Sequence, residues 1–131
     1  MNKKIKKFVN YKNKKKIVSL TAYSKNISLI IDEFCDLVLV GDSLANVLYG
    51  MKTTHELNLN TIIGHAQSVK KGIKKSLFIV DMPKNSYKTS KQAIKNAKTI
   101  IKKTGCDGVK IENNTVNLNI LKSMCNSKIN V

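Results

Sequence analysis

Short apolar runs that stop on polar residues recur along this chain, and stretches with a three-to-four-residue apolar period lie between them. The runs are KIVSLTAY (16–23), DLVLVGDS (36–43), SLFIVDMP (76–83) and CDGVKIEN (106–113). Each is rich in Val, Ile or Leu and reads as a short buried strand. After the first, Ser24 stands where a helix cap belongs, and Ile27, Ile30, Ile31 and Phe34 follow as one apolar stripe. A longer loop (49–59) precedes a helix carrying Ile62, Ile63, Ala66 and Val69, with Gly72 as its stop. Thr89 or Ser90 caps a third helix with Ala93, Ile94, Ala97, Ile100 and Ile101, closed by Gly105. Val116, Ile120, Leu121 and Met124 suggest a fourth, and Ile129 and Val131 look like the opening of a fifth strand. The alternation is therefore expected to be cut short.

Strands alternating with helices imply an α/β fold with parallel strands joined by right-handed crossovers. An open doubly wound sheet and part of a (β/α)8 barrel both satisfy the pattern. No GxGxxG follows the first strand and no GxxxxGK[ST] occurs, so the phosphate-binding loops of nucleotide folds are missing.

The length of 131 residues suits one domain, read as a basic N-terminal arm or helix (1–15) followed by the βα units (16–131). No run approaches the ~20 apolar residues of a membrane span. The basic start leads into no continuous apolar segment, so a cytoplasmic protein without membrane association is expected. Cys35, Cys106 and Cys125 are odd in number and widely spaced, which indicates neither a disulfide framework nor a zinc knuckle. The net charge of +16 raises nucleic acid as a partner. All 24 basic residues are lysine, however, and the guanidinium fork that reads guanine is missing. A solvated lysine surface is the expectation, and nucleic acid is not.

The eight acidic residues change the picture more. Asp42, Asp81 and Glu112 fall at the C-terminal ends of the second, third and fourth strands, the edge where parallel α/β folds bind ligands. Neighbouring strands lie ~4.8 Å apart, so three such acids can approach one small object. A divalent cation would relieve their repulsion, and oxygen-only ligands favour Mg²⁺ over zinc. Lys110, two residues before Glu112, points to the same face and could neutralise an anionic substrate. Each acid taken singly could equally cap a helix or begin a turn. Asp36 and Asp107 precede their strands and are assigned to turns at the opposite edge, while His55 and His65 read as structural or solvated.

With these residues in hand, SLTAYS, LVLVGDSLANVLYG, IIGHAQSVKKG, FIVDMPKNSY and GVKIE resemble, in order and spacing, the ketopantoate hydroxymethyltransferase family. The resemblance runs from about Lys16 to the end and covers the family's N-terminal half. It implies the first half of a (β/α)8 TIM barrel, about four βα units with parallel strands. It also implies hydroxymethyl transfer from 5,10-methylenetetrahydrofolate to the 2-oxo acid 3-methyl-2-oxobutanoate, in pantothenate biosynthesis, with Mg²⁺ stabilising the enolate. The family's metal contacts map onto Asp42, Asp81 and Glu112, and its substrate contacts onto Asp42, Ser43, Asp81 and Lys110. Its catalytic base maps beyond Val131, so no residue here takes that role, and a homo-oligomer or a complementary C-terminal half is the implied partner. Two alternatives stay open: a non-catalytic remnant or basic binding protein, and another Mg²⁺-dependent enolate-forming barrel of the phosphoenolpyruvate mutase and isocitrate lyase group.

Overall fold

The computed structural model describes residues 3–112 and 118–131. Its elements in chain order are α1 (Lys3–Val9), β1 (Ser19–Thr21), α2 (Lys25–Ile31), β2 (Leu37–Val40), α3 (Leu44–Tyr49), α4 (Leu59–Lys70), β3 (Leu77–Asp81), α5 (Ser90–Thr104), β4 (Gly108–Lys110) and α6 (Leu118–Asn126). Short 3-10 turns cover Thr54–Glu56 and Lys84–Ser86. The strands form one parallel sheet in the order β1-β2-β3-β4. A doubly wound sheet reverses its strand order at a switch point. This sheet runs sequentially, which is consistent with half of a (β/α)8 barrel.

Alternation within the strands sorts the two sheet faces. Val38, Val40, Phe78 and Val80 are fully buried and form one core with Ile62, Ala66 and Val69 of α4, Ala93, Ala97 and Ile100 of α5, and Met124 of α6. On the other face, Leu37, Leu77 and Ile79 line an apolar cavity of about 490 Å³, which Ile5, Phe8 and Val9 of α1 also line. The basic start is thus helical over Lys3–Val9, and Lys4 Nζ donates to the Ser76 carbonyl at 2.9 Å. The last residues run beside β4, with Val109 N–H donating to the Asn130 carbonyl at 3.0 Å. The fifth strand expected from Ile129 and Val131 is not formed among the described residues, and this contact is what the segment makes beside β4.

Local chemistry explains most element ends. Thr89 caps α5 by accepting from Gln92 N–H, and Gly105 closes it in the left-handed conformation. Asn58 caps α4 through Thr61 N–H. At the start of β2, Asp36 accepts from Val18 N–H and from Lys15 Nζ; at the start of β4, Asp107 accepts from Phe78 N–H at 2.9 Å. Asp32, just after α2, is buried and accepts from the N–H groups of Lys74, Lys75 and Ser76 at 2.9 Å each. Burial alone would raise its carboxyl, but the backbone donors of Ser76, Lys75 and Lys74 outweigh it and hold the group below the usual carboxylate range.

Several expectations need correction. All four strands are shorter than the apolar runs, and α3 falls where no helix was expected. Ser24 occupies the cap position of α2 but its side chain makes no capping bond. Asn113 of the fourth run and Val116 of the fourth helical pattern lie outside the described residues. The first strand is exposed rather than buried, with Leu20 48% accessible, because among the described residues it has a strand partner on one side only. Most of the expected stripe also faces outward, with Ile30 62% and Phe34 72% exposed, while Ile31 packs partly buried against the core. The buried residue there is Ser28, whose Oγ donates to the Lys25 carbonyl or to the Val69 carbonyl of α4, 2.9 Å from each.

Gly72 supplies the reason. A Cβ at Gly72 would lie 2.6 Å from Leu29 N and 2.8 Å from the Lys25 carbonyl oxygen, so α2 packs on the end of α4 too closely for anything but small residues. Gly72→Ala is therefore expected to destabilise the chain by about 1–3 kcal/mol, read as a lower urea midpoint with an unchanged m-value. An unchanged midpoint would mean that α2 shifts at no cost.

Candidate active site

The C-terminal edge of the sheet is organised around Asp81, the last residue of β3. The β3–β4 register sets Asp81 opposite Lys110, so the two side chains share a face and Lys110 Nζ reaches Asp81 Oδ1 at 2.8 Å. On the other side, Asp42 N–H donates to Asp81 Oδ2 at 3.1 Å. Asp42 sits in the turn that β2 enters through Gly41. A Cβ at Gly41 would stand 3.6 Å from Asp81 Oδ2 and 3.0 Å from Ser43 Oγ. A larger residue would crowd the Ser43 hydroxyl directly, so the VGDS turn begins with glycine where three strand ends meet.

Asp81 is 3% exposed, and the electrostatics follow from that. Burial raises the Asp81 carboxyl above the usual carboxylate value, and the nearby Asp42 charge adds to the rise; the Lys110 hydrogen bond and charge and the Asp42 N–H oppose it without cancelling it. Lys110 feels burial pulling it down, yet its bond to Asp81 and the fields of Asp81, Asp42 and Glu112 leave it raised. Both groups are raised: the pair favours the charged form of each, and it prevails over burial at the lysine but not at the aspartate. The difference is one of depth. The lysine is half exposed and keeps its charge cheaply, while the aspartate holds its charge against desolvation.

Tyr87, from the segment that follows β3, is buried in the same region. Its hydroxyl is raised first by burial, is hydrogen-bonded to the Glu112 backbone, and lies within the fields of Glu112, Asp42 and Lys110. Beside Ser43, the Tyr23 hydroxyl lies 2.7 Å from Ser43 Oγ. The Tyr23 carbonyl accepts from His65 Nδ1 at 2.8 Å, and His65 Nε2 lies 3.0 Å from the Tyr49 hydroxyl. His65 is thus engaged on both ring nitrogens.

All five residues singled out in the sequence therefore stand at one edge, but they are not equally joined. Asp81 meets Lys110 and the Asp42 backbone directly. Asp42, Asp81 and Glu112 share the field of one ammonium without closing on a common point. Among the described residues, no three His, Cys, Asp or Glu side chains converge closely enough to hold a metal ion in this arrangement. The donor chemistry still suits a hard divalent cation, because the three acids at this edge offer only oxygen. Tyr23 and Tyr87 are the residues that the acid pattern did not reveal, since a tyrosine at a strand end carries no charge signal; the TAYS and NSY segments held the only hint.

Comparison with known proteins bears on the family of the chain. The family model of ketopantoate hydroxymethyltransferase matches residues 2–131. The protein of Pelagibacter ubique (strain HTCC1062) named 3-methyl-2-oxobutanoate hydroxymethyltransferase is 55% identical over 131 residues, which is 100% of this chain and 51% of that protein. Its namesake in Rhizobium rhizogenes (strain K84 / ATCC BAA-868) is 53% identical over 102 residues, covering 77% of this chain and 37% of the relative. That in Brucella canis (strain ATCC 23365 / NCTC 10854 / RM-666) is 52% identical over 97 residues, covering 73% and 35%. The chain spans about half the length of the first of these relatives and less of the others. Neither a basic binding protein nor the phosphoenolpyruvate mutase and isocitrate lyase group is favoured by these matches. With sequential parallel strands, an acidic strand-end edge and a family match over nearly its whole length, the chain belongs to the ketopantoate hydroxymethyltransferase family.

Proposed function

We propose that this chain carries the 2-oxo-acid-binding part of a 3-methyl-2-oxobutanoate hydroxymethyltransferase, with 5,10-methylenetetrahydrofolate as the one-carbon donor. The observation that supports the reading best is the buried Asp81 carboxylate, held between Lys110 Nζ and Asp42 N–H at the ligand edge of the sheet. A carboxyl group that burial raises despite a lysine and a backbone donor is poorly explained by stability, and such groups cluster at functional sites.

In this reading Lys110 and Ser43 receive the oxygens of the anionic 2-oxo acid, the lysine by charge and the serine by its hydroxyl. The half-exposed ammonium can turn from Asp81 toward the substrate carboxylate without leaving the site. Asp42, Asp81 and Glu112 would hold Mg²⁺, which when bound supplies the Lewis acidity that makes the proton beside the keto group removable. Tyr87 helps exclude water from the floor of the site, where every charge is worth more. The general base would come from a complementary C-terminal half or another protomer, in a cytoplasmic assembly, and this chain's part is to bind and orient.

Calorimetric titration with 3-methyl-2-oxobutanoate tests this directly. Binding that appears with Mg²⁺ and is lost in Asp81→Asn is expected; a folded chain that takes up no 2-oxo acid in either condition contradicts the reading. A second test concerns the electrostatics. An acid whose folded-state value is raised destabilises the fold above its unfolded value of ~3.9, and the penalty disappears as pH falls through the raised range. Removing the compensating cation in Lys110→Met should therefore lower stability at neutral pH by about 1 kcal/mol, discounted because the lysine is half exposed. The loss should shrink as the medium is acidified and Asp81 takes a proton. Urea midpoints that differ equally from the parent at neutral and acid pH would contradict the assignment.

A further inference from the structure

We propose that Tyr23 is a positioning residue for the Ser43 hydroxyl, and that His65 holds Tyr23 in place. The inference rests on the functional reading above and adds to it the device that aims one of its substrate contacts.

Ser43 is at the cap position of α3, where a serine side chain ordinarily accepts from the first turn of its helix. Here it does not: the residue has φ −55° and ψ −14°, and its hydroxyl makes no capping bond. The hydroxyl instead lies 2.7 Å from the Tyr23 hydroxyl, contributed by the segment just after β1. A serine hydroxyl is one donor with two acceptor positions. When Tyr23 gives its own proton to Ser43 Oγ, the Ser43 O–H remains available for an oxygen of an incoming anion. Gly41 keeps the space that this orientation needs, since a Cβ there would come within 3.0 Å of Ser43 Oγ.

The hold on Tyr23 has a direction that can be read from the hydrogen bonds. A carbonyl only accepts, so the 2.8 Å contact between His65 Nδ1 and the Tyr23 carbonyl requires the proton to be on Nδ1. Nε2 lies 3.0 Å from the Tyr49 hydroxyl and accepts from it when it carries no proton, with the two rings edge to face at 5.8 Å. Tyr49 ends α3 and His65 belongs to α4, so the chain of contacts ties the helix that begins at Ser43 to the strand end that carries Tyr23. The histidine does not itself touch the candidate substrate edge. Its role is exerted through Tyr23.

A double-mutant cycle separates positioning from general stabilisation. Affinity for 3-methyl-2-oxobutanoate in the presence of Mg²⁺ is measured for the parent chain, Tyr23→Phe, Ser43→Ala and the double variant, with urea midpoints confirming that each is folded. Each single variant is expected to bind roughly fivefold to tenfold more weakly, and the double variant no more weakly than Ser43→Ala. Equal affinity of Tyr23→Phe and parent, or losses that multiply in the double variant, would overturn the inference while leaving the functional reading intact. A folded parent chain that does not bind would overturn that reading and the role assigned to Tyr23 with it.

Discussion

A carboxylate removed from water at the end of a central strand has to be compensated, and at Asp81 the compensation comes from both neighbouring strands. Lys110 on β4 supplies the charge, and the turn after β2 supplies the backbone donor. Neither partner could reach it unless the three strands were parallel and in the register observed. Glycine at position 41 answers to the same turn, where a Cβ would press on the Ser43 hydroxyl at 3.0 Å. Even so, the compensation is incomplete. Burial wins at Asp81, and the group stays above its usual value despite two favourable contacts.

The acids at the other edge show the contrast. Asp32, Asp36 and Asp107 accept from backbone N–H groups of adjoining segments, and both Asp32 and Asp36 are held below the usual carboxylate range. Their charges are settled by the fold and help to join its parts. At the C-terminal edge Asp81 is instead paired with one half-exposed ammonium that also feels the fields of Asp42 and Glu112, and burial of the Asp81 charge costs folding energy. With only eight acids in a chain of net charge +16, this division between stitching and binding accounts for most of them.

Much of this was legible in the sequence, for identifiable reasons. Strand–helix alternation follows from periodicity, so the four parallel strands, α2, α4 and α5 were recoverable. The strand-end acids were visible because charge is conspicuous after an apolar run, and Lys110 because period two fixes its face. What could not be read was tertiary. The Ile27, Ile30, Ile31 and Phe34 stripe has the pattern of a core-facing helix, yet of these Ile31 alone packs partly against the core, and the close approach at Gly72 is filled by Ser28. A single helix pattern cannot reveal which face a neighbour excludes. The β1 run likewise reads as buried because periodicity reports composition and not the number of strand partners. Tyr23 and Tyr87 were missed because their contribution depends on hydrogen bonds between segments far apart in the chain.

The outward apolar surfaces of α2 and β1 and the apolar cavity on the inner sheet face belong to the same geometry as the site, since all follow from a sheet of four sequential strands. The chemistry of the edge turns on one proton, that of Asp81. Carboxyl-carbon NMR of Asp81, followed across pH in the parent chain and in Lys110→Met, measures it directly. Asp81 is expected to titrate above the ordinary aspartate value of ~3.9 in the parent and higher still without the lysine. A midpoint at or below that value in the parent would contradict it, and would make Asp81 a stabilising ion-pair partner of the same kind as Asp36.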